Sequence, residues 1–432
     1  MKPDDRIGKT LLSNGVRILS QRMPHVQSVS MGVWVNIGSR DETDAENGLS
    51  HFIEHMIFKG TQKRSAFEIA KAFDAIGGYT NAFTSMENTC YHAKVMANHL
   101  ETMSEILTDI FLNSLFDEAE IEKERPVIFQ EIGMLEDTPD EYVHQLAARS
   151  FWGDNPLGRS ILGTRDNVRH FDSKNIRSFF ERLYQPDRIV VTAVGNIDHD
   201  HLVDLTRPAF EAIQSGQFNI FRPVSDHNIA KGLSDVGPNI YCHPKDLEQV
   251  HICLNARGLS TTDPKRYVSS LMNTILGGNM SSRLFQQIRE QRGLAYSVYS
   301  FVSSFVDTGM SGAYAGVDPV HAFETVDLIL NALQCFKDSP VTADELQHAK
   351  EFTKGNLLMA SESNENQMAR LAQGEFHFGR YTPLKEILDG IDRVTPADIQ
   401  MLAGEIFQKN QMTLTLHGPI PEASQFEQLM TA

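Results

Sequence analysis

The pattern of apolar and polar positions from the start of the chain to Glu136 predicts a mixture of strands and helices. Partial alternation and many β-branched residues indicate strands at residues 16–20, 29–37, 79–84 and 90–96. Helical periodicity indicates helices at residues 51–58, 65–76, 99–112 and 118–136. Because both kinds of element are interspersed, the pattern is typical of an α+β protein.

The second half of the chain repeats this pattern. The strand predicted from Val250 resembles the strand predicted from Val29, at an offset of 250 − 29 = 221. Further along, residues 341–346 resemble residues 116–121 at an offset of 225. A near-constant offset predicts a duplicated α+β unit, although segments of ordinary length can also coincide by chance.

The boundary between the two halves is expected where this periodicity stops. Residues 215–238 are rich in Gly, Pro, Ser, Asn and Asp and show no sustained periodicity, which is typical of a linker. We therefore expect an N-terminal domain at residues 1–214 and a C-terminal domain at residues 239–432.

The composition argues against two classes of protein, namely general binders of nucleic acids or anionic membranes and proteins with membrane-spanning helices. The chain has 432 residues, with 39 Lys and Arg against 56 Asp and Glu, a formal net charge of −17. This acidity argues against a general binder of nucleic acids or anionic membranes, which needs basic surface. The four cysteines have no paired spacing, and no window reaches the roughly 20 apolar residues of a membrane helix. We therefore expect a soluble cytoplasmic protein with free thiols, unless the numbering starts after a removed presequence.

The most informative motif is the run His51-Phe52-Ile53-Glu54-His55. Positions four apart lie on one face of a helix, so both imidazoles can reach one metal ion, with Glu54 beside them. A hydrolytic zinc site needs neutral nitrogen ligands, an open position and a base that takes a proton from water. The order is the inverse of the commoner His-Glu-x-x-His motif. Since short patterns occur by chance, a surface helix with two titrating histidines remains the alternative.

The helix predicted at residues 118–136 offers a further ligand. Glu124 and Glu131 are seven positions apart and therefore lie on nearly the same helical face. Apolar residues between them indicate partial burial, and a buried carboxylate needs a partner such as a metal ion. A solvated acidic helix remains the alternative, and spacing alone does not decide. Pro126 is expected to interrupt or kink this helix between the two carboxylates.

Together these segments resemble the pitrilysin family of zinc peptidases with the inverted motif, in particular the branch of the mitochondrial processing peptidase and its bacterial relatives. The resemblance covers nearly the whole chain. It rests on GLSHFIEHMIFKGT at 48–61, AIGGYTNAFTSMENTCYH at 75–92, the Glu124/Glu131 segment, and GGNMSSRLFQQIREQRGLAYSVYS at 277–300. It implies an α+β fold of two duplicated domains, each a mostly antiparallel or mixed β-sheet packed with helices, forming half of a clam-shell.

The resemblance also implies roles for the residues of the N-terminal half. His51, His55 and Glu131 would be the ligands of one zinc ion per subunit. Glu54 would be the general base, and Glu124 a carboxylate that supports one of the ligands. The arrangement would make the protein a zinc metalloendopeptidase.

Two further segments acquire roles by the same resemblance. Asn81, Ala82 and Phe83 match the family's edge strand, which binds an extended substrate by main-chain pairing. Without the resemblance, a plain core strand would be the simpler interpretation. Arg289 and Tyr296 match an Arg–Tyr pair whose cation and phenol suit a developing oxyanion.

The C-terminal half is not expected to bind metal. The two offsets carry the four metal-site positions onto Met272, Ile275, Leu276 and Asn356. Long members of the family form a closed chamber from four such domains, so a chain with two domains implies a dimer. Because this chain holds both sets of residues, we expect a homodimer in which Arg289 and Tyr296 of one subunit complete the zinc site of the other.

The implied function is hydrolysis of unfolded peptides or oligopeptides within a dimeric chamber. Glu54 would take a proton from water and pass it to the leaving amine. The acidic net charge would draw in basic peptides if part of it lined the chamber, whereas solubility is the simpler account of that charge. The alternative is a catalytically weak peptide-binding or scaffold homologue of the processing-peptidase family. A different zinc hydrolase is disfavoured by the matches to the edge strand and to the Arg–Tyr pair.

Overall fold

A computed structural model of the protein describes residues 7–214, 239–420 and 423–431. The chain forms two compact units. Within the described ranges, the first comprises residues 7–134, 159–214 and 359–381, and the second comprises the remainder. The linker predicted at 215–238 lies outside the described residues.

The strands and helices alternate along the chain in groups. The strands are β1 Ile7–Leu11, β2 Arg17–Arg22, β3 Ser28–Val35, β4 Tyr79–Thr84, β5 Thr89–Met96, β6 Ile189–Gly195, β7 Asn239–Pro244, β8 Val250–Gly258, β9 Ala295–Ser304, β10 Gly309–Val317 and β11 Thr413–Gly418. The helices are α1 Leu49–Met56, α2 Ala66–Ala75, α3 Leu100–Asn113, α4 Glu118–Glu136, α5 Pro139–Trp152, α6 Arg165–His170, α7 Ser173–Leu183, α8 His199–Phe210, α9 Arg266–Gly277, α10 Ala322–Asp338, α11 Ala343–Ala360, α12 Asn364–Phe378, α13 Leu384–Arg393, α14 Pro396–Ile406 and α15 Ala423–Thr431.

The first unit is built on a six-stranded sheet with the order β1-β2-β6-β3-β5-β4. Only the pairing of β2 with β6 is parallel within this sheet. Alternate residues of β3, such as Val29 and Val33, point into a large apolar core shared with α1, α3, α7 and α8. On the opposite face Trp34 packs against Met368 and Leu371 of α12. The sheet is therefore buried on both faces at its centre.

The second unit repeats this design with a five-stranded sheet, β7-β11-β8-β10-β9. Its single parallel pair is β11 with β7. Val250, Ile252 and Leu254 of β8 face the main core, which is shared with α9, α10 and α14. On the other face, Cys253 packs against Val143 of α5. The predicted α+β class, with two mixed sheets packed against helices, is confirmed.

Each sheet has its second face covered by a helix from the other half of the chain. α5 begins at Pro139 and belongs to the second unit, whereas α12 begins at Asn364 and belongs to the first. The numbers of these two first residues differ by 364 − 139 = 225, the offset already found in the sequence. The same helix of each repeat is therefore exchanged. Each sheet is apolar on both faces, and the exchanged helix covers the second face. The division into residues 1–214 and 239–432 remains a prediction about the repeats, and the compact units differ from it by this exchange.

Two predicted elements, β4 and α4, agree with the structure to the residue. The expected interruption at Pro126 is wrong, since α4 continues through that residue without ending. In the second unit, residues Phe285–Glu290 form a π-helical segment. Cys90, Cys242, Cys253 and Cys335 are all free thiols. Within the described part of the chain, no helix combines the length and apolar character that crossing a bilayer requires.

Candidate metal centre

The helix α1 carries three of the predicted site residues on one face. It begins after Gly48, whose φ of 106° is in the left-handed region that favours glycine. A Cβ at this position would also lie 2.9 Å from Gly163 Cα. The apolar side of the helix is buried in the core by Leu49, Phe52, Ile53 and Met56. This burial fixes the rotation of α1 and leaves His51, Glu54 and His55 together on the opposite side.

Glu131 of α4 approaches both histidines. Its Oε2 atom lies 3.4 Å from His51 Nε2 and 3.4 Å from His55 Nε2. The two imidazole centroids are 4.7 Å apart, and one donor atom from each of the three residues lies within 4.8 Å of the others. The structure therefore brings together His55 and Glu131, which are far apart in the chain.

The chemistry of these three residues fits a metal ion. Glu131 Oε2 is buried and has no hydrogen-bond partner, which is costly for a carboxylate oxygen unless a cation lies beside it. Burial, aided by the nearby His55, lowers the pKa of His51 to about 3. His51 is therefore neutral at physiological pH, as a metal ligand must be. Two imidazole nitrogens and one carboxylate are the ligand set of several catalytic zinc sites.

Glu124 lies on the far side of the His55 ring. Its Oε1 atom is 2.9 Å from His55 Nδ1, and its Oε2 atom is 2.5 Å from Lys59 Nζ. Burial acts to raise the pKa of Glu124, but the hydrogen bonds and charges of Lys59 and His55 outweigh it and hold the pKa below its usual value. An ionised Glu124 can only accept a hydrogen bond, so it favours the His55 tautomer with the proton on Nδ1, in which Nε2 faces Glu131 without a proton.

Glu54 lies beside the ligands and close to the sheet edge. Burial raises the pKa of Glu54, while hydrogen bonding to Thr84 and the charge of His55 act in the opposite direction. Thr84 is the last residue of β4, and its hydroxyl also donates to the Ser50 carbonyl oxygen at 3.4 Å. The end of the edge strand is therefore held next to α1.

The strand β4 is an edge of the first sheet and pairs with β5 alone among the described strands. Asn81 and Phe83 are exposed, whereas Ala82 is half-buried. The Ala82 amide donates to its neighbour's side-chain oxygen, Asn81 Oδ1, at 2.9 Å. This amide is thus bonded to a side chain of its own strand. The role of Asn81, Ala82 and Phe83 in binding substrate remains a prediction.

Arg289 and Tyr296 belong to the second unit. The Arg289 guanidinium carbon lies 4.8 Å from the centroid of the Tyr296 ring and 4.8 Å from that of the Phe285 ring. Tyr296 is 80% exposed, so the stacked pair presents a cation and a phenol to solvent. The two residues are brought together, and their part in catalysis remains a prediction.

The sequence did not single out three side chains near the site, namely Lys59, Thr84 and Glu42. They contact Glu124, Glu54 and the start of α1, respectively. Lys59 stands four positions after His55, and a basic residue at that spacing was an available signal. Thr84 closes the predicted strand, but nothing in the sequence indicates that it contacts Glu54. Glu42 accepts hydrogen bonds from the start of α1, and no local pattern marks it.

Comparison with known proteins gives matches along most of the chain. The family model described as "Insulinase (Peptidase family M16)" matches residues 17–165, and that described as "Peptidase M16 inactive domain" matches residues 170–352. A protein of Streptomyces coelicolor named an uncharacterized zinc protease is 38% identical over 416 residues, which is 96% of this chain and 90% of that protein. One of Bacillus subtilis with the same description is 39% identical, over 92% of this chain and 95% of that protein.

Solved structures share the fold. A protease from Helicobacter pylori superimposes with a TM-score of 0.87 at 21% identity, covering 96% of this chain and 99% of that one. A structure described as a peptidase M16 inactive domain from Pseudomonas fluorescens gives 0.86 at 16% identity, covering 96% and 98%. With two family models that together span most of the chain and relatives at 38% and 39% identity over nearly all of it, the chain belongs to the M16 (insulinase) family of peptidases, whose cofactor is zinc.

Proposed function

We propose that this protein is a zinc metalloendopeptidase that hydrolyses unfolded peptides or oligopeptides. The observation that carries the proposal is the convergence of His51, His55 and Glu131, with an unpartnered buried oxygen on Glu131, beside Glu54 on the same helix as the histidines. These three residues would hold zinc. When bound, zinc supplies a Lewis acid that makes water a nucleophile near neutral pH and polarises a carbonyl.

The chain's own residues supply the proton transfers. Glu54 is the general base: it takes a proton from the attacking water and returns it to the leaving amine. Glu124 and Lys59 orient His55, since Glu124 accepts from His55 Nδ1 and is itself held by Lys59. Glu54 and His55 are positioned by α1 and Glu124 by α4, while Lys59 lies three residues after the end of α1.

The edge strand β4 binds the substrate backbone. An extended peptide that pairs with β4 satisfies main-chain groups whatever its sequence, which suits a peptidase of broad specificity. The position of Thr84, at the end of β4 and beside Glu54, supports this role because it brings the strand next to the base. Asn81, Ala82 and Phe83 supply the pairing positions, and the net charge of −17 favours basic peptides.

Arg289 and Tyr296 stabilise the oxyanion of the tetrahedral intermediate. The stacking of the guanidinium on the phenol ring supports a joint role, because it presents both donors at one place. We further propose that the cytoplasmic protein is a homodimer with one zinc per subunit, and that this pair acts on the zinc site of the partner subunit.

Completion in trans is tested by mixing two inactive variants. A Glu54→Gln subunit lacks the base and a Tyr296→Phe subunit lacks the phenol. A mixed dimer then contains one site with both groups intact only if they come from different subunits. Recovered peptidase activity supports the arrangement. No recovery, although mixed dimers form in native mass spectrometry, overturns it.

The function itself is tested by zinc content and by cleavage of a mixed-sequence library of quenched peptides blocked at both ends. We expect one zinc per chain and internal cleavage. The matched control is Glu54→Gln, which should keep zinc and lose turnover. Zinc with peptide binding but no cleavage by the native chain would instead support a peptide-binding or scaffold protein.

A further inference from the structure

Glu42 is a buried carboxylate that the proposed reaction does not use. It is 3% exposed and lies in the loop before α1. Its Oε1 atom accepts from the Ser50 amide at 2.7 Å. Its Oε2 atom accepts from the Gly48 amide at 2.8 Å and from Asn47 Nδ2 at 3.0 Å. All three donors belong to the residues at which α1 begins.

These contacts give α1 a cap that its own N-cap residue cannot provide. The first amides of a helix have no partner within the helix, and a side-chain oxygen normally accepts from them. The N-cap here is Gly48, which has no side chain and makes no side-chain cap. The left-handed φ of Gly48 and its approach to Gly163 disfavour a capping residue at this position. Glu42 accepts these bonds instead, and its carboxylate lies at the positive end of the helix dipole.

The loop that carries Glu42 is itself fixed. Arg159 Nη1 donates to the Glu42 carbonyl oxygen at 2.6 Å, and Arg159 Nη2 lies 2.5 Å from Asp44 Oδ1. Asn47 Nδ2 also donates to the Ser160 carbonyl oxygen at 2.9 Å. Glu42 is therefore a rigid acceptor, because both its backbone and its neighbours are held by residues 159–160.

The position of α1 depends on such contacts because the helix is short. It has eight residues, and isolated helices of about two turns are unstable in water. Its second and third residues are Ser50 and His51, so the amide that Glu42 holds directly precedes a predicted metal ligand. Burial raises the pKa of Glu42 to about 7, against the lowering effect of these hydrogen bonds, so keeping the carboxylate there has a free-energy cost.

We propose that Glu42 is a positioning residue for the metal centre, which holds the start of α1 so that His51 stays in place relative to His55 and Glu131. The proposal rests on the proposed zinc site. It requires Glu42 to act through α1, since its hydrogen bonds go to the start of that helix and to Asn47. Loss of Glu42 should then weaken zinc binding through misplacement of one ligand.

The test is the zinc affinity of Glu42→Gln, measured on the full-length metal-free protein by competition with a chromophoric chelator. Glutamine has one acceptor oxygen where three donors converge, and its amide group adds a clash. We expect the zinc dissociation constant to rise about 10-fold or more, the range seen when groups that orient ligands are lost. The kcat for a quenched peptide should fall while KM stays unchanged, because β4 is not altered.

Glu375→Gln is the matched control. Glu375 lies on α12 and is also a buried carboxylate of the first unit, with a side chain 4% exposed that pairs with Lys9 at 2.6 Å. Both substitutions should lower the melting temperature of the metal-free protein, but only Glu42→Gln should weaken zinc binding. Glu42→Asp keeps the charge on a shorter side chain and should restore part of the affinity, which also provides a variant should Glu42→Gln fold poorly.

Native zinc affinity in Glu42→Gln, or an equal loss in Glu375→Gln, overturns the proposal. Its failure is distinguishable from that of the proposed function. If the native chain binds zinc but cleaves no peptide, the peptidase proposal fails while the affinity comparison still decides the role of Glu42. If the native chain binds no zinc, both proposals fail.

Discussion

Glu124 accepts a hydrogen bond from His55 on the side of the imidazole ring opposite Glu131, with 2.9 Å between Glu124 Oε1 and His55 Nδ1. The spacing of Glu124 and Glu131 along α4 does not distinguish these two carboxylates, but their positions in the structure do. Glu131 faces the Nε2 atoms of both histidines, whereas Glu124 fixes the tautomer of one of them.

This relationship predicts that Glu124→Gln weakens zinc binding without abolishing it. The amide can still contact His55, but it lacks the charge that favours a proton on Nδ1 and the ion pair with Lys59. We expect a rise in the zinc dissociation constant of roughly 10- to 100-fold, as seen when outer partners of metal-bound histidines are lost. Chelator competition measures it. Lys59→Met should have a smaller effect, and an unchanged affinity in Glu124→Gln would rule out the orienting role.

Removal of zinc should lower stability as well as activity. A chelator should abolish peptide cleavage, and added zinc should restore it together with a higher melting temperature. At a free zinc concentration about 100 times the dissociation constant, the native state gains about 2.7 kcal/mol. His55→Ala should lose both responses, because it removes a ligand, while Glu54→Gln should keep the thermal response. A melting temperature of the native chain that does not change when zinc is added would contradict a zinc site at His51, His55 and Glu131.

Ala82→Pro tests the substrate strand. The Ala82 amide donates to Asn81 Oδ1 and not to a neighbouring described strand, so its loss should leave the pairing of β4 with β5 in place. A peptide that pairs with β4 would lose one main-chain bond, about 1 kcal/mol. We expect KM for a quenched peptide to rise several-fold at unchanged zinc affinity. Equal KM values for the variant and the native chain would exclude pairing at this position.

Acidification should destabilise the second unit through histidines between α5 and the sheet. His144 Nε2 is 2.7 Å from the Tyr299 hydroxyl, and His251 Nδ1 is 2.9 Å from the Tyr314 hydroxyl. Burial is the main cause that lowers the pKa of each histidine, and the charge of Asp140 opposes it. Because the folded pKa lies below the unfolded value, the unfolded chain binds more protons, and stability is lost as pH falls below about 6.5.

The melting temperature at about pH 7.5 and at about pH 5.5, on either side of the unfolded histidine pKa, measures this effect. His144→Gln keeps a polar group near Tyr299 but cannot gain a proton. Between these two pH values, the free energy of unfolding should therefore fall less in the variant than in the native chain. The difference corresponds to the uptake of at most one proton on unfolding. The carboxylates titrate alike in both proteins and cancel in the comparison. The same pH-dependent loss in both would exclude His144 as a contributor.

Local patterns were sufficient for the strands and helices between residues 16 and 136, including the helix that carries the candidate metal ligands. The spacing of His51, Glu54 and His55 places them on one helical face whatever surrounds the helix, because that follows from the roughly 3.6 residues in each helical turn. The strand β4 and the helix α4 were predicted to the residue by alternation and periodicity. Pro126 was misjudged, since its effect depends on whether the remaining hydrogen bonds and the packing of α4 hold the helix together.

Other features could not be read from the sequence because they depend on contacts between distant segments. The offset of 225 residues relates α5 to α12 whether each helix covers the sheet of its own repeat or that of the other repeat. The offset alone therefore does not say which sheet each helix covers. Similarly, Glu42 lies in a loop without regular periodicity, and its contacts with Gly48 and Ser50 exist only after the loop has folded over α1.

The sequence by itself determined the family and the duplicated α+β repeat, and it marked His51, Glu54 and His55 as candidate site residues, because these follow from short-range spacing and order along the chain. The family resemblance implied different roles for Glu131 and Glu124, but only the tertiary structure shows Glu131 Oε2 close to both histidines and Glu124 against His55 Nδ1. Likewise, only the tertiary structure shows that the repeats exchange a helix and that Glu42 caps α1. Those outcomes depend on how α4, α12 and the loop before α1 pack in three dimensions, and spacing along a chain does not specify the packing of segments far apart in sequence.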